Sequence, residues 1–333
     1  MAGSCSSIPA FLTGALGSFE SVERLPGDAS TREYFRVTAE GKTSILCRDD
    51  ALKQSGADDY PFLIVQRLFK ARGIPVPDIY HMAPSDGLLL IQDLGDRMVE
   101  HIAGGLPPSE CFSLYRSLLD IAVAIQSIPV ENGRPPFTLS FDEAKLLWEF
   151  HFFLEHCLRG LYGLKNEKLL KELREEFLRV AKLLDRPGLF VLNHRDYHSR
   201  NIMWRDGSPF VIDFQDSRMG LPQYDAASLL RDSYVRLDDE LFGRLNDYYY
   251  GKSFDAGVHR MSPDEYGYYF SLMAFQRNVK ALGTFAYQVA VLDRPHYRKY
   301  IPATLGYLAA YGEKAPETGR AAALISECMG AGL

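Results

Sequence analysis

Val191-Leu-Asn-His-Arg-Asp-Tyr-His-Ser-Arg-Asn-Ile-Met-Trp204, continued by Arg205-Asp-Gly-Ser-Pro-Phe-Val-Ile-Asp-Phe-Gln-Asp216, decides how the rest of the chain is read. A His-Arg-Asp triplet is followed five residues after its Asp by Asn201, and Asp213 closes a β-branched run twelve residues later. Transfer of a γ-phosphoryl group asks a protein for a carboxylate that orients the acceptor hydroxyl and for oxygen ligands that hold Mg²⁺ on the phosphates. Asp196, Asn201 and Asp213 match those three tasks in that order. Each motif alone also reads as a turn or a strand-end cap. Their order and short spacing favour chemistry, because Arg205 to Pro209 supplies a turn between short strands at 201–204 and 210–212. Such a hairpin would carry Asn201 and Asp213 to one edge.

Composition bounds the possibilities. The chain has 333 residues, 47% of them hydrophobic and 24% charged, as expected of a soluble globular protein with a large core. A net charge of -6 offers no basic footprint, which disfavours nucleic acid and an anionic membrane as partners and favours a small molecule. Five scattered cysteines without a C-x-x-C pair argue against a disulfide framework or structural zinc and for reduced thiols in the cytoplasm. The apolar patch at 8–16 lacks the positive start of a signal peptide. No run reaches the ~18 apolar residues of a membrane span.

Outward from the hairpin, the two halves of the chain differ in periodicity. Residues 22–25, 33–38 and 43–48 alternate as antiparallel strands, 60–72 repeats at helical spacing, and 79–80 and 88–91 return as strands. Beyond Leu94-Gly-Asp96 the pattern is helical, with Leu114, Leu118, Ile121 and Ile125 on one face and Leu169, Leu173, Phe177, Val180 and Leu184 on another. An α+β fold follows, divided at residue 95 into a β-rich nucleotide-binding lobe, 1–95, and a helical lobe, 96–333, that holds the catalytic hairpin.

Further candidates lie on both sides of that boundary. The small-residue turn Gly27-Asp28-Ala29-Ser30 allows backbone N–H groups to approach phosphate oxygens, and Arg48 stands in a strand where a cation would meet the α and β phosphates. Asp58 or Asp59 is placed to pair with Arg48. Gln92-Asp93-Leu94 leaves a strand with backbone groups that can hydrogen-bond adenine. For the acceptor, the polar residues embedded in apolar context are Glu149, His198, Asp216, Arg231, Asp232, Gln276 and Arg277, with Trp148, Tyr234 and Phe275 as candidate aromatic walls. His194 reads as a structural residue behind Asp196.

With these residues assembled, the chain resembles the aminoglycoside phosphotransferase/choline kinase branch of the protein-kinase-like fold. It is most similar to bacterial kinases that phosphorylate N-acetylmuramate and N-acetylglucosamine at C1. The likeness rests on Gly27-Asp-Ala-Ser-Thr-Arg-Glu-Tyr-Phe-Arg36, Leu90-Ile-Gln-Asp-Leu-Gly-Asp96, the two central motifs, Tyr224-Asp-Ala-Ala-Ser-Leu-Leu-Arg-Asp-Ser-Tyr234 and Phe275-Gln-Arg-Asn-Val-Lys-Ala-Leu-Gly-Thr-Phe285. It implies a two-lobed ATP site with Mg²⁺, Asp196 as catalytic base, Asn201 and Asp213 as metal ligands, and a role in cell-wall sugar salvage. Asp213-Phe-Gln stands where protein kinases have Asp-Phe-Gly, and only a short segment separates it from Tyr224. A peptide-binding activation segment is therefore not expected. Two other functions share the motifs: phosphorylation of an aminoglycoside or amino alcohol, and nucleotide binding by an inactive pseudokinase.

Overall fold

The computed structural model describes residues 7–26 and 32–330, and they divide into two compact units. The first gathers the described residues up to Arg97 together with Ile202–Gln215; the second gathers Met98–Asn201 with the described residues from Asp216 onward.

In the first unit a five-stranded antiparallel sheet has the order β1 (Ser21–Arg24), β2 (Glu33–Ala39), β3 (Lys42–Arg48), β5 (Leu88–Gln92), β4 (Ile79–Ala83). β2 and β3 are joined by the two-residue turn Glu40-Gly41. Both turn residues have positive φ, 50° and 69°, the backbone that such hairpin turns require and Gly accepts without strain. Leu12 of α1 (Ser7–Leu16) is fully buried with Val37, Leu46, Leu88 and Leu90. The apolar patch at 8–16 is thus a helix covering the sheet.

Asp50–Asp59, with Leu52 as its one buried residue, forms α2, and the Asp49 carboxylate caps the Ala51 N–H at 2.9 Å. The sequence pattern alone did not announce this helix, because one buried residue leaves no periodicity to read. α3 (Pro61–Ala71) starts on a proline suited to a first helical turn and buries Phe62, Val65 and Phe69, as their spacing predicts. The hairpin of β7 (Ile202–Arg205) and β8 (Ser208–Val211) turns on Asp206-Gly207. It was grouped with the helical lobe on sequence, but it lies in the first unit. Trp204 N–H donates to the Arg97 carbonyl and Val211 N–H to the Pro75 carbonyl, both at 2.7 Å, and Arg205 donates to the Asp93 carbonyl.

The second unit is helical, with α4 (Val99–Ala103), α5 (Pro108–Gln126), α6 (Glu143–Phe153), α7 (Glu167–Leu184), α8 (Gln223–Leu230), α9 (Asp239–Asp255), α10 (Pro263–Ala290), α11 (Ile301–Tyr307) and α12 (Gly319–Gly330). One two-stranded ladder interrupts them, β6 (Val191–Asn193) with β9 (Arg218–Gly220). α10 is 28 residues long and packs closely on α6: a Cβ at Gly283 would stand 2.9 Å from Phe153 Cα. Cys47, Cys111, Cys157 and Cys328 are free and buried. No described helix is long and apolar enough to cross a membrane.

Candidate active site

β6 delivers the chain into the loop that carries Asp196, and two buried carboxylates from elsewhere hold that loop. Asp225, in the first turn of α8, accepts the backbone N–H groups of His194 at 2.7 Å and Arg195 at 3.1 Å. Arg195 has φ 87°, an unfavourable conformation for a side-chain-bearing residue that persists only where the surroundings over-determine it. Asp232 does the same beyond Asp196, accepting Ser199 N–H and Tyr234 N–H at 2.9 Å each. The Asn201 side-chain amide nitrogen closes the loop by donating to the Asp196 carbonyl at 2.9 Å. His194 is fully buried edge-on to Tyr197, in the structural position expected for it.

Asp196 is surrounded by cations. Its Oδ1 accepts from Lys280 Nζ at 2.8 Å and Arg277 Nη1 at 3.2 Å, while Oδ2 has Arg195 Nε at 3.7 Å. Burial by itself raises a carboxyl pKa, but Lys280, Arg195 and Arg277 outweigh it and hold Asp196 well below the usual range. It is ionised at neutral pH and acts as an acceptor only, with Oδ2 the oxygen left to orient a hydroxyl. Asp225 and Asp232 shift the opposite way. Burial outweighs their backbone donors and pushes them up to about 7 and about 6.

A small cavity of about 70 Å³ opens beside Asp196. His198, Arg231, Asp232, Tyr234, Arg277 and Lys280 line it together with Asp196. Burial pushes the His198 imidazole down to about 3, so it is neutral there, and its ring meets Tyr234 edge-on. Asp232 faces the cavity, but both its oxygens already serve the backbone. Glu149 and Gln276 are absent from the lining. They are buried against each other, with Gln276 Nε2 donating to Glu149 Oε2 at 2.8 Å, and support α6 against α10. Phe275 is fully buried in the core beside Phe150 and is absent from the lining of this cavity, and Trp148 is 55% exposed. Asp216, half exposed, pairs with Arg195 Nη1 at 2.9 Å.

In the first unit, Phe214 is buried against Phe62 and Phe69 of α3, and this anchor presents Asp213 at φ 61° with Oδ1 accepting the Gln215 amide at 2.8 Å. Arg48 faces Glu33, its cross-strand neighbour, at 3.5 Å. Asp58 instead faces Arg67, and Asp59 ends α2, so neither takes the place expected opposite Arg48. Beside it, Arg32 Nε donates to the buried Asp49 carboxylate at 3.0 Å, which also accepts from Tyr60. At the end of β5, the Gln92 N–H donates to the Asp78 carbonyl at 2.8 Å. The Asp93 carboxylate accepts Arg36 Nε at 2.7 Å and Gly95 N–H at 2.8 Å. Its carbonyl takes Arg205, so the side chain builds this exit and Leu94 is buried behind it. Gly27, Asp28, Ala29 and Ser30 lie outside the described residues. No described group of three or more His, Cys, Asp or Glu makes a metal cage. A Mg²⁺ held by one or two protein oxygens and by phosphates needs none, and Asn201 and Asp213 each carry an oxygen of the hard type it takes.

Three residues that shape the site were not singled out on sequence: Lys280, Asp225 and Arg195. Lys280 had a legible signal, a lone lysine three positions after Arg277 in an apolar stretch and hence on the same helix face.

The model described as the phosphotransferase enzyme family matches residues 21–263. Among characterised proteins, the chain is 31% identical over 312 residues to an N-acetylmuramate/N-acetylglucosamine kinase of Pseudomonas aeruginosa, covering 92% of this chain and 89% of that one. It is 29% identical over 308 residues to a kinase of the same name from Neisseria meningitidis serogroup B, covering 91% and 89%. The fold matches the ADP-bound aminoglycoside phosphotransferase APH(2'')-Ib with a TM-score of 0.63 at 16% identity, covering 95% and 99% of the two chains. It also matches the choline kinase LicA from Streptococcus pneumoniae with a TM-score of 0.59 at 15% identity, covering 91% and 99%. The expected kinase-like α+β fold is borne out.

Proposed function

The chain belongs to the phosphotransferase enzyme family, and on that premise we propose that it is an ATP-dependent sugar kinase acting on the anomeric hydroxyl of N-acetylmuramate, N-acetylglucosamine or both. The observation that carries the choice of acceptor is the charge of the cavity. Arg231, Arg277 and Lys280 line it, and its two carboxylates are committed, Asp196 to cations and Asp232 to backbone. An aminoglycoside or choline would bring positive charge against three cations, a juxtaposition that costs affinity. A neutral N-acetylated sugar, or one bearing a carboxylate, avoids that cost, and Tyr234 gives its ring an apolar wall.

In this reading Asp196 Oδ2 orients the acceptor hydroxyl and takes its proton as the oxygen attacks the γ-phosphorus. A carboxylate held so strongly ionised is a weak base. The anomeric hydroxyl is more acidic than other sugar hydroxyls and asks least of it. Asn201 and Asp213 would each offer an oxygen to Mg²⁺, which when bound would offset phosphate charge. Arg48 and the 27–30 turn are the proposed phosphate contacts, and the Gln92–Leu94 backbone is the proposed adenine contact. Amino-sugar salvage inside the cell is the setting that suits such a kinase.

The test is a panel of N-acetylmuramate, N-acetylglucosamine, glucose, choline and kanamycin with ATP and Mg²⁺, read by phosphorus NMR. Phosphate at C1 of an N-acetylated sugar is expected; phosphate only on choline or kanamycin overturns the reading. Asp213→Ala is expected to raise the Mg²⁺ concentration for half-maximal turnover, and an unchanged metal titration removes Asp213 from its role.

A further inference from the structure

Lys280 is a cation of the cavity wall to which the proposed function assigns no part in the chemical step. It lies on α10 three residues beyond Arg277, and the two side chains converge on one carboxylate oxygen. Arg277 is held twice, by Asp196 Oδ1 and by the Tyr224 hydroxyl, each at 3.2 Å. Lys280 Nζ gives one N–H to Asp196 Oδ1 at 2.8 Å, its one hydrogen-bond partner among the described residues. An ammonium has three donors, so two are left at the wall of a cavity that Lys280 itself lines. The side chain is 13% exposed. A largely buried ammonium with donors in hand is costly for folding but suited to a place where negative charge develops.

We propose that Lys280 is a catalytic residue whose free N–H donors bind the attacking oxygen of the acceptor hydroxyl and stabilise the charge that builds on it during phosphoryl transfer. This rests on the phosphotransferase reading of the same site. In the step, the acceptor O–H bond breaks and its proton passes to Asp196 and on to solvent. The new O–P bond forms, and the bond from the γ-phosphorus to the bridging oxygen breaks with its electron pair leaving on ADP. Lys280 keeps its proton throughout.

The surroundings make that charge readable. Burial lowers Lys280 to about 8, with Asp196 and Glu149 opposing the shift and Arg277 and Arg195 adding to it. Neutral His198 from the loop and Arg231, Asp232 and Tyr234 from the cavity wall also face it. Turnover that needs the ammonium falls as pH rises through about 8.

The experiment compares the full chain with K280M and K280R, using the acceptor found in the panel and, in parallel, the slow hydrolysis of ATP with water as acceptor. K280M is expected to lose about 10²-fold or more in kcat, the effect of removing one donor from a developing oxyanion, with little change in KM for ATP. K280R is expected to retain more activity than K280M and to lose the fall above pH 8, because a guanidinium stays protonated. A K280M enzyme as fast as the wild type overturns the proposal, and so does a K280R profile that keeps the wild-type fall. Should K280M not fold, the K280R profile decides alone. Should no sugar be phosphorylated, the sugar-kinase reading fails, while the hydrolysis arm still reports on Lys280.

Discussion

Asp196 and Asp225 serve the same loop, one from within it and one from behind, and their surroundings drive them in opposite directions. Asp196 meets Lys280, Arg277 and Arg195 and is held ionised. Asp225 meets two backbone N–H groups in a fully buried setting and is pushed up to about 7. Neutral dipoles position a loop without fixing the charge of the carboxylate that holds them; cations fix the charge. The difference separates the carboxylate proposed for the chemistry from one used in construction, although both are aspartates in polar company.

The largest effect is expected from Asp196→Asn, which keeps the shape and removes the charge. Turnover should fall by ~10²-fold or more with ATP binding retained, and wild-type turnover in this variant would dissolve the distinction. Asp225→Asn should cost about 1–3 kcal/mol in urea unfolding, because one of two buried backbone N–H groups loses its acceptor. The pH dependences of stability should also have opposite signs. Asp225, raised to about 7, contributes stability that is full below about 4 and is lost as pH rises through about 7. Asp196, lowered, contributes stability that is present above about 4 and is lost as pH falls through its folded value. Urea unfolding of wild type and both variants between pH 3 and pH 8 would therefore remove one slope in each variant, and parallel curves would refute the contrast. Gly283→Ala should cost about 1–3 kcal/mol by forcing α10 off Phe153, and should lower kcat as Arg277 and Lys280 move from Asp196. The smallest change is expected at Asp216→Asn, a half-exposed partner of Arg195, within about 1 kcal/mol by thermal melting.

How much of this was legible differs from residue to residue. Asp196, Asn201 and Asp213 stand out in the sequence because a hairpin is local and its spacing is printed in the chain. The acceptor side was read less well for a geometric reason. Gln276 and Arg277 were paired as neighbours in sequence, but adjacent helical positions point about 100° apart. Arg277 and Lys280 share the face toward Asp196, and Gln276 turns to buried Glu149. Helix α2 escaped notice for lack of a second buried apolar residue, and with it the placing of Asp58 and Asp59.

By itself the sequence determined the α+β class, the family through its two central motifs, and the type of chemistry, because hydrophobic period and motif spacing are properties of a few neighbouring residues. Only the tertiary structure decided which polar residues face the cavity, that Asp225 and Asp232 hold the loop, and that the Asp196 charge is secured by Lys280. Lys280 lies 84 residues from Asp196 in the chain. Electrostatic fields and burial depend on distance in space, and no spacing along the backbone records a distance that folding creates.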